Sequence, residues 1–515
     1  MVPARRHLGP SHQASDGPAP WVRRLSEVGG RKGSMRMLED LEPREVFRYF
    51  EELTQIPRCS GNEKQASDYL VDFARQRKLE AFQDKALNVI IKKPGTAGYE
   101  DAPAVIIQAH MDMVCEKSKG SRHDPSKDPL PLKIEGDLVR ADGTTLGADN
   151  GIAVAYGLAI LDSADLPHPP LELLVTTSEE TGMNGAHALK ADHLAGKTLL
   201  NIDAEDEGVL FVSCAGGVDL VCEFDTHWEK AASGALLIEV SGLKGGHSGL
   251  EIIQQRANAI KLLGRTLDAA RQAGKFRIAA LSGGSKSNAI AREAQATVTA
   301  DASALKKIKA IVNRLSRDLK TESAAVDPDI RVAAASGNKV ARQLDSASTE
   351  KLIDFLVIAP NGVQSMSQDL EGLVESSLNL GVLEQSGESI KMTISVRSCV
   401  DSIREDLARR VEALAGLVGA KTARTGKYPA WQYEADSKIR DLCVSVYKDV
   451  SGRDPQIQAI HAGLECGLLK EKLPQTDMIS FGPDLHDVHT PEENLSISSV
   501  ANTWAFLTSV LARSK

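Results

Sequence analysis

From residue 38 onward the chain alternates between two apolar patterns. Residues 43–54 (PREVFRYFEELT) and 63–76 carry apolar side chains at three- and four-residue intervals, which predicts two amphipathic helices. The second opens at Ser60-Gly61-Asn62. Residues 103–109, 171–177, 198–202 and 478–481 are mostly apolar with no polar alternation. That pattern predicts short strands covered on both faces, as in a parallel sheet. Residues 87–92 predict one more strand, and residues 132–141 a hairpin about Glu135-Gly136-Asp137. Residues 152–162 follow Gly147-Ala148-Asp149-Asn150-Gly151 and predict an apolar helix, which Asp149 or Asn150 is suited to cap.

The texture changes between about residues 217 and 428. Residues 236–240, 296–300 and 391–397 predict half-buried alternating strands, and 255–272 and 405–417 predict covering helices. The expected architecture is therefore α/β. A mixed, mainly parallel sheet flanked by helices spans 38–216 and 429–515 and is interrupted by an inserted α+β domain at 217–428. Residues 1–37 form an N-terminal extension with Arg5, Arg6, Arg23, Arg24, Arg31, Lys32 and Arg36 against only Asp16 and Glu27. This partly resembles an organellar transit peptide. Without an amphipathic pattern, it reads better as a disordered tail, or as sequence upstream of a start at Met35 or Met37.

Composition narrows the function. The chain has 515 residues, too many for one ordinary core, and a net charge of −9. It lacks a basic stripe with interleaved aromatics, which argues against nucleic-acid binding. No apolar run approaches ~18 residues, so no membrane span is expected. The seven cysteines are scattered without CxxC pairing, which argues against a disulfide framework or a thiolate zinc site and favours a reducing, cytoplasmic setting. The N-terminal extension leaves an organellar address open.

Each of the four apolar strands ends in, or soon leads to, His, Asp or Glu. His110 and Asp112 leave the first on one side, because a strand repeats every two residues. Glu179-Glu180 follow the second, Asp203 the third, and His486 and His489 the fourth. In a parallel sheet these ends converge on one carboxyl edge, where α/β proteins place their ligands. With Asp149, the set offers imidazoles and carboxylates without thiolate, suited to zinc, cobalt or manganese. It exceeds what one metal needs and would be fully used by two ions sharing a bridging carboxylate. One carboxylate of the Glu179-Glu180 pair is then free to act on water as a general base. No P-loop lysine, dinucleotide fingerprint or Gly-x-Ser-x-Gly elbow accompanies them.

Taken in order, HMDMV, GADNG, SEETG with MNGA, NIDAE, CAGG, GGHSG, HAGLECG and VHTPEE resemble the aminoacyl-histidine dipeptidase branch of the dizinc aminoacylase and carboxypeptidase G superfamily. The resemblance covers residue 38 to the C-terminus. It implies a catalytic domain carrying two divalent ions, zinc with cobalt or manganese as substitutes, and a lid domain that forms a homodimer. By position it places His110, Asp149, Asp203, Glu180 and His489 on the metals, with Asp149 as the bridge. Asp112 orients the ligand histidine, Glu179 is the general acid/base, and His247 stabilises the oxyanion. Arg397 receives the substrate carboxylate, with Asn288, His461 and Glu465 as further substrate contacts. Of the two competing histidines, His489 stands directly before Thr-Pro-Glu, as the pattern requires, and His486 does not. The implied activity is hydrolysis of unblocked dipeptides, Xaa-His and β-alanyl-histidine among them. The rivals are an N-acyl amino-acid amidohydrolase on the same fold and a metal-binding interaction protein without catalysis.

Overall fold

The computed structural model describes residues 36–515 except Ser233. The expected N-terminal tail thus lies, but for Arg36 and Met37, outside the described residues.

The first sheet runs Glu80–Gln83, Val89–Lys93, Leu171–Thr176, Val105–His110, Thr198–Asn201, Asp477–Ser480, Val209–Cys214, Gln456–Ile460. Its four central strands, Leu171–Thr176 to Asp477–Ser480, are mutually parallel, and they are the four unbroken apolar runs of the sequence. Their lack of alternation has a direct cause. One face carries Ile91, Ile107, Leu173, Leu200 and Ile479 into a large core. The helices Arg44–Thr54, Ala148–Asp162 and Ile497–Arg513 pack into the same core. The other face carries Ile90, Ile106, Leu174, Leu199 and Met478 against Trp431, Leu464 and Leu469. The helix Ala148–Asp162 is buried all round from Asn150 to Leu161, so its apolar residues show no stripe. Asp149 and Asn150 depart from helical geometry within it.

The second sheet is antiparallel and lies within residues 216–428. It contains Gly234–Ser241, Ala294–Ala300 and Ser389–Ser398, at the positions where alternation predicts them. The helices Ala259–Arg271, Ser346–Ile358 and Asp401–Leu417 share a separate core with this sheet. The helix Ala302–Glu322, absent from the sequence reading, joins them there through Ile308, Val312, Leu315 and Leu319. The chain enters this sheet directly from the strand Val209–Cys214 and leaves it at Tyr428, so the loops of the second sheet stand beside the carboxyl edge of the first.

No disulfide framework forms among the described residues, but one bridge does. Cys59 and Cys115 are bonded, and the other five cysteines are free and buried. The pairing is invisible in the spacing because 56 residues separate the two. They meet because Cys59 bridges to Met113 in parallel register, and Ser60 N–H donates to the Met113 carbonyl at 3.3 Å.

Candidate metal centre

His110 is the last residue of a wholly buried strand and is itself 1% exposed. Its Nε2 lies 3.1 Å from Asp149 Oδ1 and 3.5 Å from Asp203 Oδ1. His489 Nε2 lies 3.0 Å from Asp149 Oδ2 and 2.9 Å from Glu180 Oε2. The two oxygens of Asp149 therefore face two different groups: His110 with Asp203, and His489 with Glu180. Donor atoms of His110, Asp149 and Glu180 fall within 4.8 Å of one another. His486 is exposed, and its backbone pairs with Asn494 away from the cluster.

The side chains of this set face a cavity of about 700 Å³. No lysine or arginine lines that cavity among the described residues, although Glu205, Asp206 and Glu371 add to its negative charge. Burial raises the Asp203 and Glu180 carboxyls, with Asp149 adding to both. Burial also disfavours charge on His110, but Asp203, with hydrogen bonds to Asp112 and Asp149, keeps its proton on well above the ordinary range. For Asp149 too, burial works against the charge, yet hydrogen bonds from His110 and His489 hold it below the carboxylate range. Five converging imidazole and carboxylate donors, with no thiolate among them, fit divalent metal ions.

Asp112 organises the edge from beneath. Its Oδ1 accepts the Glu179 N–H at 3.0 Å and stands 3.4 Å from His110 Nδ1, while Oδ2 accepts Ser60 Oγ–H at 2.8 Å and Glu180 N–H at 3.3 Å. One buried carboxylate thus fixes a ring and the turn bearing both glutamates. Glu179 also faces the cavity. Burial holds its carboxyl well above the usual range, and Asp203, Glu465 and Glu180 push the same way against His110.

The remaining candidates are placed differently. His461 lines the metal cavity, and its Nε2 meets Ser377 Oγ of the second sheet at 2.8 Å. Arg397 and Asn288 line a separate cavity of about 440 Å³ with Lys286 and Tyr428, where Arg397 Nη1 donates to Tyr428 Oη at 2.8 Å. His247 lines neither cavity. Its Nδ1 accepts the Leu250 N–H at 3.1 Å, which leaves the proton on Nε2. Burial, then Arg397, lowers its pKa. Glu465 lines neither of these two cavities. It is fully buried behind the sheet, where Gln108 Nε2 and Thr176 Oγ1 stand 2.5 and 2.6 Å from its Oε2. Burial pushes its carboxyl up to about 8.

Sequence reasoning missed Glu493, whose carboxylate accepts the backbone N–H groups of Leu146, Gly147, Ala148 and Asp149 at 2.8–3.3 Å. It missed Glu205 as well, two residues beyond Asp203, which burial raises to about 7. The only sequence signal for either is its nearness to a ligand.

A buried helix-flanked sheet with a histidine–carboxylate cluster at its carboxyl edge defines a metallohydrolase-like centre, and the comparisons with known proteins agree. Residues 106–513 match the model of peptidase family M20/M25/M40, and the chain belongs to that family. It is 38% identical over 479 residues to the cytosol non-specific dipeptidase of Escherichia coli, covering 93% of this chain and 99% of that protein. Among solved structures, aminoacylhistidine dipeptidase from Vibrio alginolyticus matches with a TM-score of 0.86 and 39% identity, over 92% of this chain and 97% of that one. The aminopeptidase PepT of Bacillus cereus, at 14% identity and a TM-score of 0.54 over 92% of this chain and 99% of that one, shares the fold. Among the described residues, no helix is long and apolar enough to cross a membrane.

Proposed function

We propose that this chain is a metal-dependent dipeptidase that hydrolyses unblocked dipeptides, Xaa-His and β-alanyl-histidine among them. The observation that carries the reading is the division of Asp149 between two half-sites, His110 with Asp203 and His489 with Glu180. His110 with Asp203, and His489 with Glu180, would each hold one divalent ion, zinc in our reading, with Asp149 shared between them. Such ions, when bound, lower the pKa of water and polarise a carbonyl. Glu179, whose carboxylate makes no hydrogen bond among the described residues, takes the water proton and returns it to the departing amine. Asp112 keeps the His110 ring and the Glu179 turn in place. His247 offers its Nε2–H to the developing oxyanion. Arg397 and Asn288 receive the substrate carboxylate, for which a guanidinium fork is suited. His247, Arg397 and Asn288 lie off the metal cavity, so they engage through movement of the lid (residues 217–428) or from a second copy in a homodimer. The relative named a cytosol dipeptidase supports a cytoplasmic setting.

Chelator treatment followed by zinc, cobalt or manganese, with free and N-acylated dipeptides as substrates, tests this reading. Metal-restored cleavage of free dipeptides with acylated ones inert is expected. Preference for the acylated series would make the protein an amidohydrolase, and bound metal without turnover on either series would make it a binding protein.

A further inference from the structure

Arg58 is the largest fully buried side chain of the molecule's described part, at 1% exposure, and no reading of the site above uses it. Among the described residues it has no carboxylate partner at hydrogen-bond distance. Its Nη1 donates to the carbonyls of Met111 at 3.0 Å and Asp112 at 3.3 Å, and its Nη2 donates to the carbonyl of Gly147. One planar group therefore ties the turn that carries His110 and Asp112 to the turn that carries Asp149.

The same contact bears on the glycines of GADNG. A Cβ on Gly151 would lie 2.5 Å from Arg58 Nη2, so the guanidinium occupies the space of a side chain there. A Cβ on Gly147 would lie 2.7 Å from the same atom and 2.5 Å from Met113 Sδ, and its positive φ favours glycine as well. Glu493 holds the same turn from its N–H side, so the peptide units before Asp149 are gripped by a buried cation on one side and a buried anion on the other.

We propose that Arg58 is a positioning residue that sets the spacing between the His110 and Asp149 segments and thereby prepares the site to take up two divalent ions. The proposal rests on the assignment of those residues as metal ligands. A guanidinium is required because its donors lie in a rigid fork with two addressable edges, whereas an ammonium keeps the charge but is a point donor. Partners behind metal ligands characteristically change affinity about 10–100-fold when altered.

The test is a zinc titration of the full-length apoprotein against a chromogenic chelator, with circular dichroism on each sample. Wild type, Arg58→Lys, Arg58→Met, Gly151→Ala and the Arg58→Met/Gly151→Ala double variant are compared. Arg404→Lys serves as a control, since Arg404 is also buried but donates to the Tyr428 carbonyl away from the cluster. Two zinc ions in wild type are expected, with affinity about 10–100-fold weaker in folded Arg58→Lys. Gly151→Ala should weaken zinc in the same direction by displacing the fork, and should add little in the Arg58→Met background. Arg404→Lys should lower thermal stability and leave zinc affinity as in wild type. Wild-type affinity in Arg58→Lys and Gly151→Ala would overturn the proposal, as would equal weakening in Arg404→Lys. If neither Arg58 variant folds, Gly151→Ala decides alone. A wild type that binds no zinc would instead remove the metal assignment itself.

Discussion

Asp149 shows how far a single side chain can be read. Its type and its place after a glycine mark it as a cap or a ligand, and only the fold brings two histidines onto its two oxygens. His110, Asp112, Glu179, Glu180 and Asp203 were legible for a simpler reason, because each stands at or just beyond the end of a buried strand. Arg58 was not legible: an arginine in a loop ordinarily reads as surface, until packing buries it under the cluster. At this scale His461 yields a pH prediction. Burial, then Arg397, pushes its pKa down to about 3 from an ordinary 6.5, so between these values the unfolded chain binds more protons than the folded one. The ring's contribution to stability is complete above about 6.5 and is lost progressively as pH falls towards about 3. Denaturant unfolding should therefore show a shallower loss of stability across that window in His461→Asn than in wild type. Equal slopes would refute a buried neutral ring.

Among elements, the four central strands were readable because both faces of each are covered, which removes alternation. The lid strands were readable because alternation survives, as in Gly234–Ser241. The helix Ala302–Glu322 was passed over although Ile308, Val312, Leu315 and Leu319 recur at helical spacing. Its mean character is polar and its core stripe narrow. What no periodicity could supply is how the lid loops are held. Asn379, 2% exposed, donates through Nδ2 to the carbonyls of Ser287 at 2.9 Å and Ala289 at 2.8 Å, on either side of Asn288. Asn379→Ala removes both of these part-buried hydrogen bonds and should cost about 1–2 kcal/mol in denaturant unfolding. Since the loop carries Asn288, the same variant should raise KM more than it lowers kcat. Unchanged KM with the expected instability would confine Asn379 to folding.

For the molecule as a whole, the two cores and the return of the chain near Trp431 place lid loops against the carboxyl edge of the catalytic sheet. The Cys59–Cys115 bridge closes a loop spanning 56 residues. Loop-closure entropy for that length amounts to about 4 kcal/mol at most. Thiol titration in denaturant should count five free cysteines before reduction and seven after, and Cys59→Ser should lower unfolding stability by up to about 4 kcal/mol. Seven thiols in protein kept from reductant would show that the bridge does not form. The reading of the whole protein turns on one glutamate acting on water beside two ions. Glu179→Gln preserves shape and removes only the base, so metal content and turnover measured together on that variant test the account most directly. The account predicts two bound ions per chain, as in wild type, with turnover of free dipeptides reduced on the order of 10²–10⁴-fold. A folded variant carrying both ions and hydrolysing dipeptides near the wild-type rate would contradict it.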